Sequence, residues 1–346
     1  MMGVDRRAHQ LDAAPLALGC VTLLISPRSS TNIDIMIIAT KTSVYGLEND
    51  GSEKRPTLLF DDLEVRRVAE GDNRNVIALA DSSIILQDGA ENRRVDTGIQ
   101  DRLDSLCIIN ERPLDLLIGT TPPYIYRMDE EGPAERIETF DDLEVRSRWY
   151  TPWGGPAAVR SLASTQDGWV YADIHVGSIM RSPDRGKTWE PVTPTLHVDV
   201  HEVSTTPAAN RRVYANTYRS VYISDDRGDS WEHRSKNLNN KYGRGIAVHP
   251  EDLDTILCGV SDGPRGDDVH GQLFYTEDVG RNWTHVSTGF PESTKKNIDT
   301  FHIAYADNDI AWVTDEEILY KSRDRGKTWE TFWRAPEEIL MISCRM

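Results

Sequence analysis

One short motif recurs four times in the second half of the chain, and this recurrence constrains the fold more than any other feature. The copies share the pattern S/T-x-D-x-G-x-S/T/N-W, and they are SPDRGKTW (182–189), SDDRGDSW (224–231), TEDVGRNW (276–283) and SRDRGKTW (322–329). Their central aspartates follow one another at steps of 42, 52 and 46 residues. Repetition of one supersecondary unit at a period of about 40 to 50 residues predicts the blades of a β-propeller.

The motif itself predicts a hairpin turn, because each copy lies between two short strand-like segments. In such a turn the Ser or Thr hydroxyl and the Asp carboxylate accept hydrogen bonds from backbone N–H groups. Gly supplies a positive φ, and Trp packs into the blade. These roles are structural, so we assign no catalysis to them. The residues concerned are Asp184, Gly186, Trp189, Asp226, Gly228, Trp231, Asp278, Gly280, Trp283, Asp324, Gly326 and Trp329.

The four segments resemble the Asp-box (BNR) repeat of sialidases, sortilin-type receptors and photosystem II assembly-factor propellers. The resemblance covers residues 157–335 directly. One copy departs from the repeat, since Asn282 stands where Ser or Thr is usual. The resemblance implies a propeller fold.

The strand pattern of these units also occurs in the first half of the chain, without the box. Seven units carry it, at residues 36–50, 75–89, 115–129, 168–182, 211–225, 254–278 and 309–324. The later six each follow an inner strand, whereas the C-terminal segment EILMISCR is a strand with no blade after it. We therefore predict an all-β, seven-bladed propeller over residues 36–346, closed by the C-terminal strand as the innermost strand of blade 1. The in-phase boxes disfavour the alternatives, a two-domain α/β protein and a β-sandwich.

Residues 1–35 form an N-terminal extension with three interpretations: a disordered tail, a weak twin-arginine-like export signal at Arg6-Arg7, or a start assigned upstream of a true start at Met36. Cys107, Cys258 and Cys344 lie in apolar, strand-like runs, which predicts buried free thiols in a reducing compartment. We therefore expect a cytoplasmic protein, with export as the alternative. No run reaches the roughly 18 apolar residues of a spanning helix.

The balance of acidic and basic residues limits which kinds of partner the protein can bind. The chain has 39 Lys and Arg residues against 56 Asp and Glu residues, which gives a net charge of -17. A nucleic-acid partner is not expected, because phosphate binding needs a basic surface. Only nine of the cationic residues are lysines. An acidic, lysine-poor surface favours a halophilic protein, since concentrated salt screens self-repulsion.

The loops opposite the boxes are the longer ones, and they supply the candidate binding residues. Arg and His residues stand at equivalent positions, at the starts of several inner strands, and aromatic residues lie in the neighbouring loops. Together they predict a site for an anionic or carboxylate-bearing ligand. The alternative is that each arginine pairs with a neighbouring acid. The ligand-binding candidates are Arg66, Trp153, Arg160, His175, His201, Glu202, Tyr242, Arg244 and Asp262.

Two functions from different classes remain open. The first is a non-catalytic propeller scaffold of Asp-box type that binds a small anionic or carbohydrate ligand, or a protein partner, on the loop-rich face of blades 4–6. The second is a sialidase-like or other glycoside hydrolase using the same face. Resemblance to sialidases implies an arginine triad and a Tyr–Glu pair, for which Arg66, Arg160 and Arg244, and Tyr242 with Glu202, are the positions. The sialidase F/Y-R-I-P motif is absent.

No cofactor is predicted. A phosphate-binding GxxxxGK[ST] loop and a strand-linked GxGxxG are both missing. His175, His201 and His270 are weak candidates for metal ligands, because histidines on neighbouring loops can converge. The sequence positions of these three histidines do not by themselves show that their side chains lie close together.

Overall fold

The computed structural model describes residues 34–48, 55–264, 268–306 and 309–344. Its strands form seven four-stranded antiparallel sheets, each a meander of neighbouring strands. The predicted all-β, seven-bladed propeller is confirmed. The export signal and the alternative start concern residues 1–35, of which 1–33 lie outside the described part.

Blades 1 to 3 use the first strands of the chain. These are β1 (Asp34–Thr40), β2 (Val44–Glu48), β3 (Thr57–Phe60), β4 (Val65–Glu70), β5 (Asn75–Leu79), β6 (Ser83–Asp88), β7 (Glu91–Asp96), β8 (Arg102–Glu111), β9 (Leu114–Thr121), β10 (Ile125–Met128) and β11 (Glu135–Arg136). A short helix α1 (Glu138–Asp141) and a 3-10 helix (Glu144–Arg148) lead to blade 4.

Blades 4 to 7 take the remaining strands. These are β12 (Val159–Ser164), β13 (Val170–Ile174), β14 (Ser178–Ser182), β15 (Glu190–Pro191), β16 (Val200–Thr206), β17 (Ala209–Thr217), β18 (Ser220–Ser224), β19 (Glu232–His233), β20 (Tyr242–Val248), β21 (Ile256–Ser261), β22 (Gln272–Thr276), β23 (Thr284–His285), β24 (Ile303–Tyr305), β25 (Ala311–Asp315), β26 (Ile318–Ser322), β27 (Glu330–Arg334) and β28 (Ile339–Cys344).

The last strand has no blade of its own. β28 pairs with β1, so blade 1 has the strand order β28-β1-β2-β3. The pairs include Met36 with Cys344 and Ile38 with Ile342. The edge of β1 opposite β2 thereby has a hydrogen-bonded partner.

The core consists of seven apolar layers, each between two adjacent blades. The layer between blades 7 and 1 contains Met36 and Ile38 beside Trp312 and Leu319. Because every blade packs on both neighbours, burial of apolar surface stabilises the ring as a whole. Cys107 and Cys258 are buried free thiols in these layers, but Cys344 is only half-buried.

The Asp boxes form the turns between the third and fourth strands of blades 4 to 7. In the first box, Asp184 Oδ1 accepts from the backbone N–H of Thr188 at 2.8 Å, and Oδ2 accepts from the Thr188 hydroxyl at 2.7 Å. Gly186 has a φ of +84° and donates its N–H to Ser182 Oγ. In the atypical copy, Asn282 Nδ2 replaces the hydroxyl and donates to Asp278 Oδ2 at 2.7 Å. The Asp184 and Asp278 carboxylates therefore have hydrogen-bond partners within their own turns.

The segment entering blade 4 is held by aromatic contacts. Phe140 on α1 is fully buried and packs against Trp149 and Trp189. The Arg146 guanidinium lies 4.9 Å from the Trp149 ring centre. Beyond Trp149 the chain returns to the surface, and Trp153 is 52% exposed. Among the described residues, no helix has the length and apolar character needed to cross a bilayer.

Candidate functional site

A β-bulge recurs at the start of the innermost strands. The strand pairing skips a residue there in blades 1 to 6 of the described structure, and the residues at these bulges are Leu340, Arg66, Asp104, Arg160, His201 and Arg244 with Gly245. A bulge re-aims the side chain that it carries. This shared backbone irregularity gives Arg66, Arg160, His201 and Arg244 their equivalent positions.

The bulged ends of the inner strands surround a cavity of about 760 Å³, which we call the mouth cavity. Its ionisable lining residues are Arg67, Arg102, Asp104, Arg160, His175, Arg244, Lys296, Asp299, His302 and Glu338. It reaches the inner strands of blades 1, 2, 3 and 7 as well as blades 4 and 6, so it is wider than the blade 4–6 region expected from the sequence. Five cationic side chains face three carboxylates in this lining.

Arg244 and Arg160, two arginines of the mouth cavity, form ion pairs of different length. Arg244 Nη2 lies 2.6 Å and 2.8 Å from the two carboxylate oxygens of Asp299. Burial opposes ionisation of Asp299, but the charge and the hydrogen bond of Arg244 hold the pKa of this carboxyl far below its usual range. Arg160 Nη2 has a longer contact, 3.4 Å, with Asp199 Oδ1. Arg160 is therefore the less compensated of these two cations.

Buried groups beneath Arg160 have altered acidity. Asp173 is fully buried; its Oδ2 accepts from Ser161 Oγ at 3.3 Å, and its Oδ1 has no hydrogen-bond partner in the described structure. Burial raises the pKa of Asp173 to about 7, although the charge of Arg160 acts against this rise. Burial, with the charge of Arg160, lowers the pKa of His175 to about 3. At neutral pH the His175 imidazole is therefore neutral, and the buried Asp173 carboxyl holds its proton more strongly than a solvated one.

His201 and Glu202 are buried and do not line the mouth cavity. His201 Nε2 is 3.2 Å from Asp199 Oδ1 and 3.2 Å from the Tyr242 hydroxyl, and Nδ1 contacts the carbonyl oxygen of Gly243. Glu202 Oε2 accepts from the backbone N–H of Ile246 at 3.0 Å. Burial raises the pKa of Glu202 well above its usual value. Both side chains join blade 5 to blade 6, which is a structural position.

A second cavity of about 340 Å³ opens on the same face, beside blades 5 and 6, and we call it the side cavity. Tyr218, Asn239, Asn240, Lys241, Tyr242 and Asp262 contribute to its lining. His270 contacts Asp262 Oδ2 through Nδ1 at 2.8 Å. No group of three or more His, Cys, Asp or Glu side chains in the described ranges has the arrangement of a metal site. His201 and His270 therefore have separate partners, and the structure gives no cluster that would join them to His175.

The structure distributes eight of the nine candidates over three places. Trp153, Arg160, His175 and Arg244 line the mouth cavity, Tyr242 and Asp262 line the side cavity, and His201 and Glu202 are buried between blades. The ninth, Arg66, is exposed, and its neighbour Arg67 lines the mouth cavity instead. Arg66 is at a bulge equivalent to those of Arg160 and Arg244, so the bulge does not account for its exposure. Arg67 Nε contacts the carbonyl oxygen of Asp104, which holds the Arg67 side chain at the cavity.

Several lining residues could not be singled out from the sequence. Arg102 and Asp104 begin the inner strand of blade 3, so aligning that strand with the other inner strands could have found them. Asp299 lies in an irregular segment before blade 7 and has no motif. Lys296 lines the cavity from the same segment. The charge pairing of Arg244 with Asp299 depends on a loop path that strand periodicity does not encode.

Comparisons with known proteins agree with this fold. A family model described as sortilin, neurotensin receptor 3 matches residues 177–294, and the model of the BNR-Asp box repeat matches residues 319–331. The resemblance to Asp-box propellers is confirmed: the chain carries BNR repeats on a propeller scaffold. The search of curated proteins gives no match.

Solved structures with the same fold share little sequence with this chain. YCF48 bound to D1 peptide is 15% identical with a TM-score of 0.54, covering 77% of this chain and 81% of that one. YCF48 from Cyanidioschyzon merolae is 13% identical with a TM-score of 0.54, covering 77% and 84%. An ancestral GH74 enzyme is 13% identical with a TM-score of 0.55. The match covers 81% of this chain but only 38% of that enzyme.

Proposed function

We propose that the protein is a non-catalytic binding propeller whose mouth cavity takes a carboxylate-bearing ligand. The observation that carries this proposal is the incomplete charge compensation of Arg160. Burial lowers the pKa of the Arg160 guanidinium against the charges of Asp173 and Asp199, and its described ion-pair contact, with Asp199, is 3.4 Å long and shared with His201. By contrast, Asp299 raises the pKa of Arg244 against the effect of burial. A ligand carboxylate at Arg160 supplies the missing counter-charge and accepts from its fork of N–H groups.

The setting of the cavity favours an anion although the chain is acidic. The whole chain has a net charge of -17, whereas the mouth cavity has more cationic than anionic side chains. A local excess of positive charge in a concave site raises the concentration of anionic ligands there. At the rim, Trp153 is 52% exposed, so it can contact the organic part of the ligand.

The ligand can be a small carboxylate or a protein segment that carries one. A propeller of the same fold, YCF48, is described as bound to D1 peptide, which supports a peptide as one ligand class. That likeness is one of fold alone, so the cavity chemistry remains the main support. The buried free thiols of Cys107 and Cys258 agree with a reducing compartment, and we propose the cytoplasm.

Binding is preferred over the glycoside hydrolase alternative because of the contacts of the implied residues. Arg160 and Arg244 pair with different acids, and Arg66 is exposed outside the mouth cavity. The Tyr242 hydroxyl contacts His201, whereas Glu202 accepts from the backbone of Ile246. Arg244, Tyr242 and Glu202 are thus held by partners within the chain, and Arg66 lies outside the cavity, which is unlike a free triad and nucleophile pair.

The test is calorimetric titration with glucuronate, succinate and an N-acetyl dipeptide, the last as free acid and as amide. We expect the acids to bind and the amide to fail. Arg160→Gln should weaken binding of the acids by tenfold or more, since a charge-assisted pair is lost. Arg181→Gln is the matched control. The Arg181 side chain is 13% exposed, similar to 15% for Arg160, but it pairs with Glu190 near an Asp box and not at the mouth cavity.

Equal binding of acid and amide, or equal losses in the two variants, would contradict the proposal. A panel of nitrophenyl glycosides, incubated with the same protein, addresses the enzyme alternative. Turnover that disappears in Arg160→Gln would favour a glycoside hydrolase over a binding protein. Thermal unfolding of each variant shows whether the fold is retained.

A further inference from the structure

We infer that the side cavity is a separate binding site for an uncharged pyranose ring. Its wall combines three loops of the channel-mouth face: Tyr218 from blade 5, Asn239 to Tyr242 before and at the start of blade 6, and Asp262 after β21. The volume of about 340 Å³ exceeds that of a single hexose, so a ring can enter with its hydroxyl groups solvated on one side. The inference goes beyond the proposed function, because the ligand needs no carboxylate.

The polar groups of the side cavity suit vicinal hydroxyls rather than an ion. Asn239 and Asn240 each carry donors and an acceptor on one planar amide. The one ammonium, on Lys241, is balanced by the one carboxylate, on Asp262. This mixture differs from the cationic excess of the mouth cavity, and it matches a ligand whose groups both donate and accept.

The aromatic part of the wall supplies a surface for the C–H face of a sugar. Tyr218 is 52% exposed, although its ring is held in place from two sides. The His197 ring stacks on it with centres 5.7 Å apart, and the Tyr242 ring meets it edge to face at 5.6 Å. A large aromatic ring that stays exposed but immobile offers apolar contact at a small entropic cost.

The described residues around Asp262 are also held by hydrogen bonds before any ligand arrives. Asp262 Oδ2 is 2.8 Å from His270 Nδ1, and its backbone N–H donates to Val269 at 2.9 Å. Ser261 Oγ donates to Asn297 Oδ1 at 2.5 Å, which ties β21 to the segment before blade 7. Hydrogen bonds behind a binding residue hold it in one orientation, so less freedom is lost on binding.

The experiment is NMR saturation transfer with methyl hexopyranosides on the full chain, followed by titration of the best binder. We expect at least one pyranoside to bind and tetrahydropyran-2-methanol, which lacks the ring hydroxyls, to fail. Tyr218→Ala and Asn239→Ala should each weaken binding by about tenfold. Tyr150→Ala is the control, because Tyr150 has a similar exposure of 55% on the same face but lies outside the side cavity.

Each other outcome overturns the inference. These outcomes are no pyranoside binding, equal binding of tetrahydropyran-2-methanol, equal losses in Tyr150→Ala and Tyr218→Ala, or preferential binding of an N-acetyl tripeptide amide. Arg160→Gln separates the two sites, since it should leave pyranoside binding unchanged while it removes carboxylate binding. Failure of either proposal is therefore visible without failure of the other.

Discussion

Two carboxylates, Asp226 in an Asp box and the buried Asp173 near the channel mouth, have opposite environments. For Asp226 burial opposes ionisation, but hydrogen bonds from the Ser230 hydroxyl and backbone N–H lower the pKa below its usual value. For Asp173 the one described hydrogen bond, from Ser161, is 3.3 Å long, and burial raises the pKa to about 7. The same residue type stabilises the fold where its lone pairs are filled locally, and costs stability where they are not.

The largest expected difference between the two faces is in the stability lost when a tryptophan is replaced by alanine. Trp283 is 3% exposed in the core between blades 5 and 6, and its Nε1 donates to the Arg234 carbonyl at 2.9 Å. Trp283→Ala should lower the free energy of unfolding by about 3 to 5 kcal/mol, because it leaves a cavity and an unpaired carbonyl. The half-exposed Trp153 is the control, and Trp153→Ala should cost less than about 1 kcal/mol. Urea unfolding measures both, and similar losses would erase the distinction between the faces.

The second difference is in how the free energy of unfolding depends on pH. The folded pKa of Asp173, about 7, lies above the ordinary value of 3.8, so the folded state binds more protons between these values. Stability conferred by the protonated form is therefore lost as the pH rises from about 4 to 7, by about 1.4 kcal/mol per pH unit for this group. The Asp173→Asn variant has no carboxyl to ionise at this position, so it does not lose stability in this way. The unfolding free energy of the variant minus that of the wild type should therefore increase from about pH 4 to pH 7 and level off above pH 7.

Asp226→Asn is the matched control for this titration. The pKa of Asp226 is lowered, so its contribution is lost only as the pH falls below about 4. The difference in unfolding free energy between wild type and Asp226→Asn should stay flat between pH 5 and 8. Urea titrations at several pH values provide the test. A flat difference for Asp173→Asn as well would mean that Asp173 ionises normally in the folded chain.

The contrast between the faces also explains how much the sequence could predict. Box turns are local, because Asp278 and Asn282 meet within one turn and their spacing is visible in the chain. The number of blades follows from the same periodicity. Even the strand without a blade, β28, is visible as a leftover of the repeat.

The channel mouth depends instead on contacts between distant loops. Arg244 and Asp299 are 55 residues apart in the chain, and their pairing follows from how two blades sit together. The bulges add a second difficulty: Arg66 and Arg160 are at equivalent bulges, yet Arg160 lines the cavity, whereas Arg66 is exposed and Arg67 lines the cavity in its place. Alignment of inner strands therefore predicts which region forms the site, but not which side chains face it.

The smallest expected difference compares one substitution at two glycines. Gly228, in a box, has a φ of +93°, and a Cβ there would lie 2.8 Å from Val192 Cγ1. Gly154, in the loop that carries Trp153, has a φ of +83° with no atom within 4 Å of that position. Gly154→Ala should cost about 1 kcal/mol, because only the backbone conformation is unfavourable for alanine. Gly228→Ala should cost about 1 kcal/mol more, since Val192 must also move. Thermal and urea unfolding of the pair measure the gap, and a larger loss for Gly154→Ala would show that the mouth loop, not the box, is the tightly packed turn.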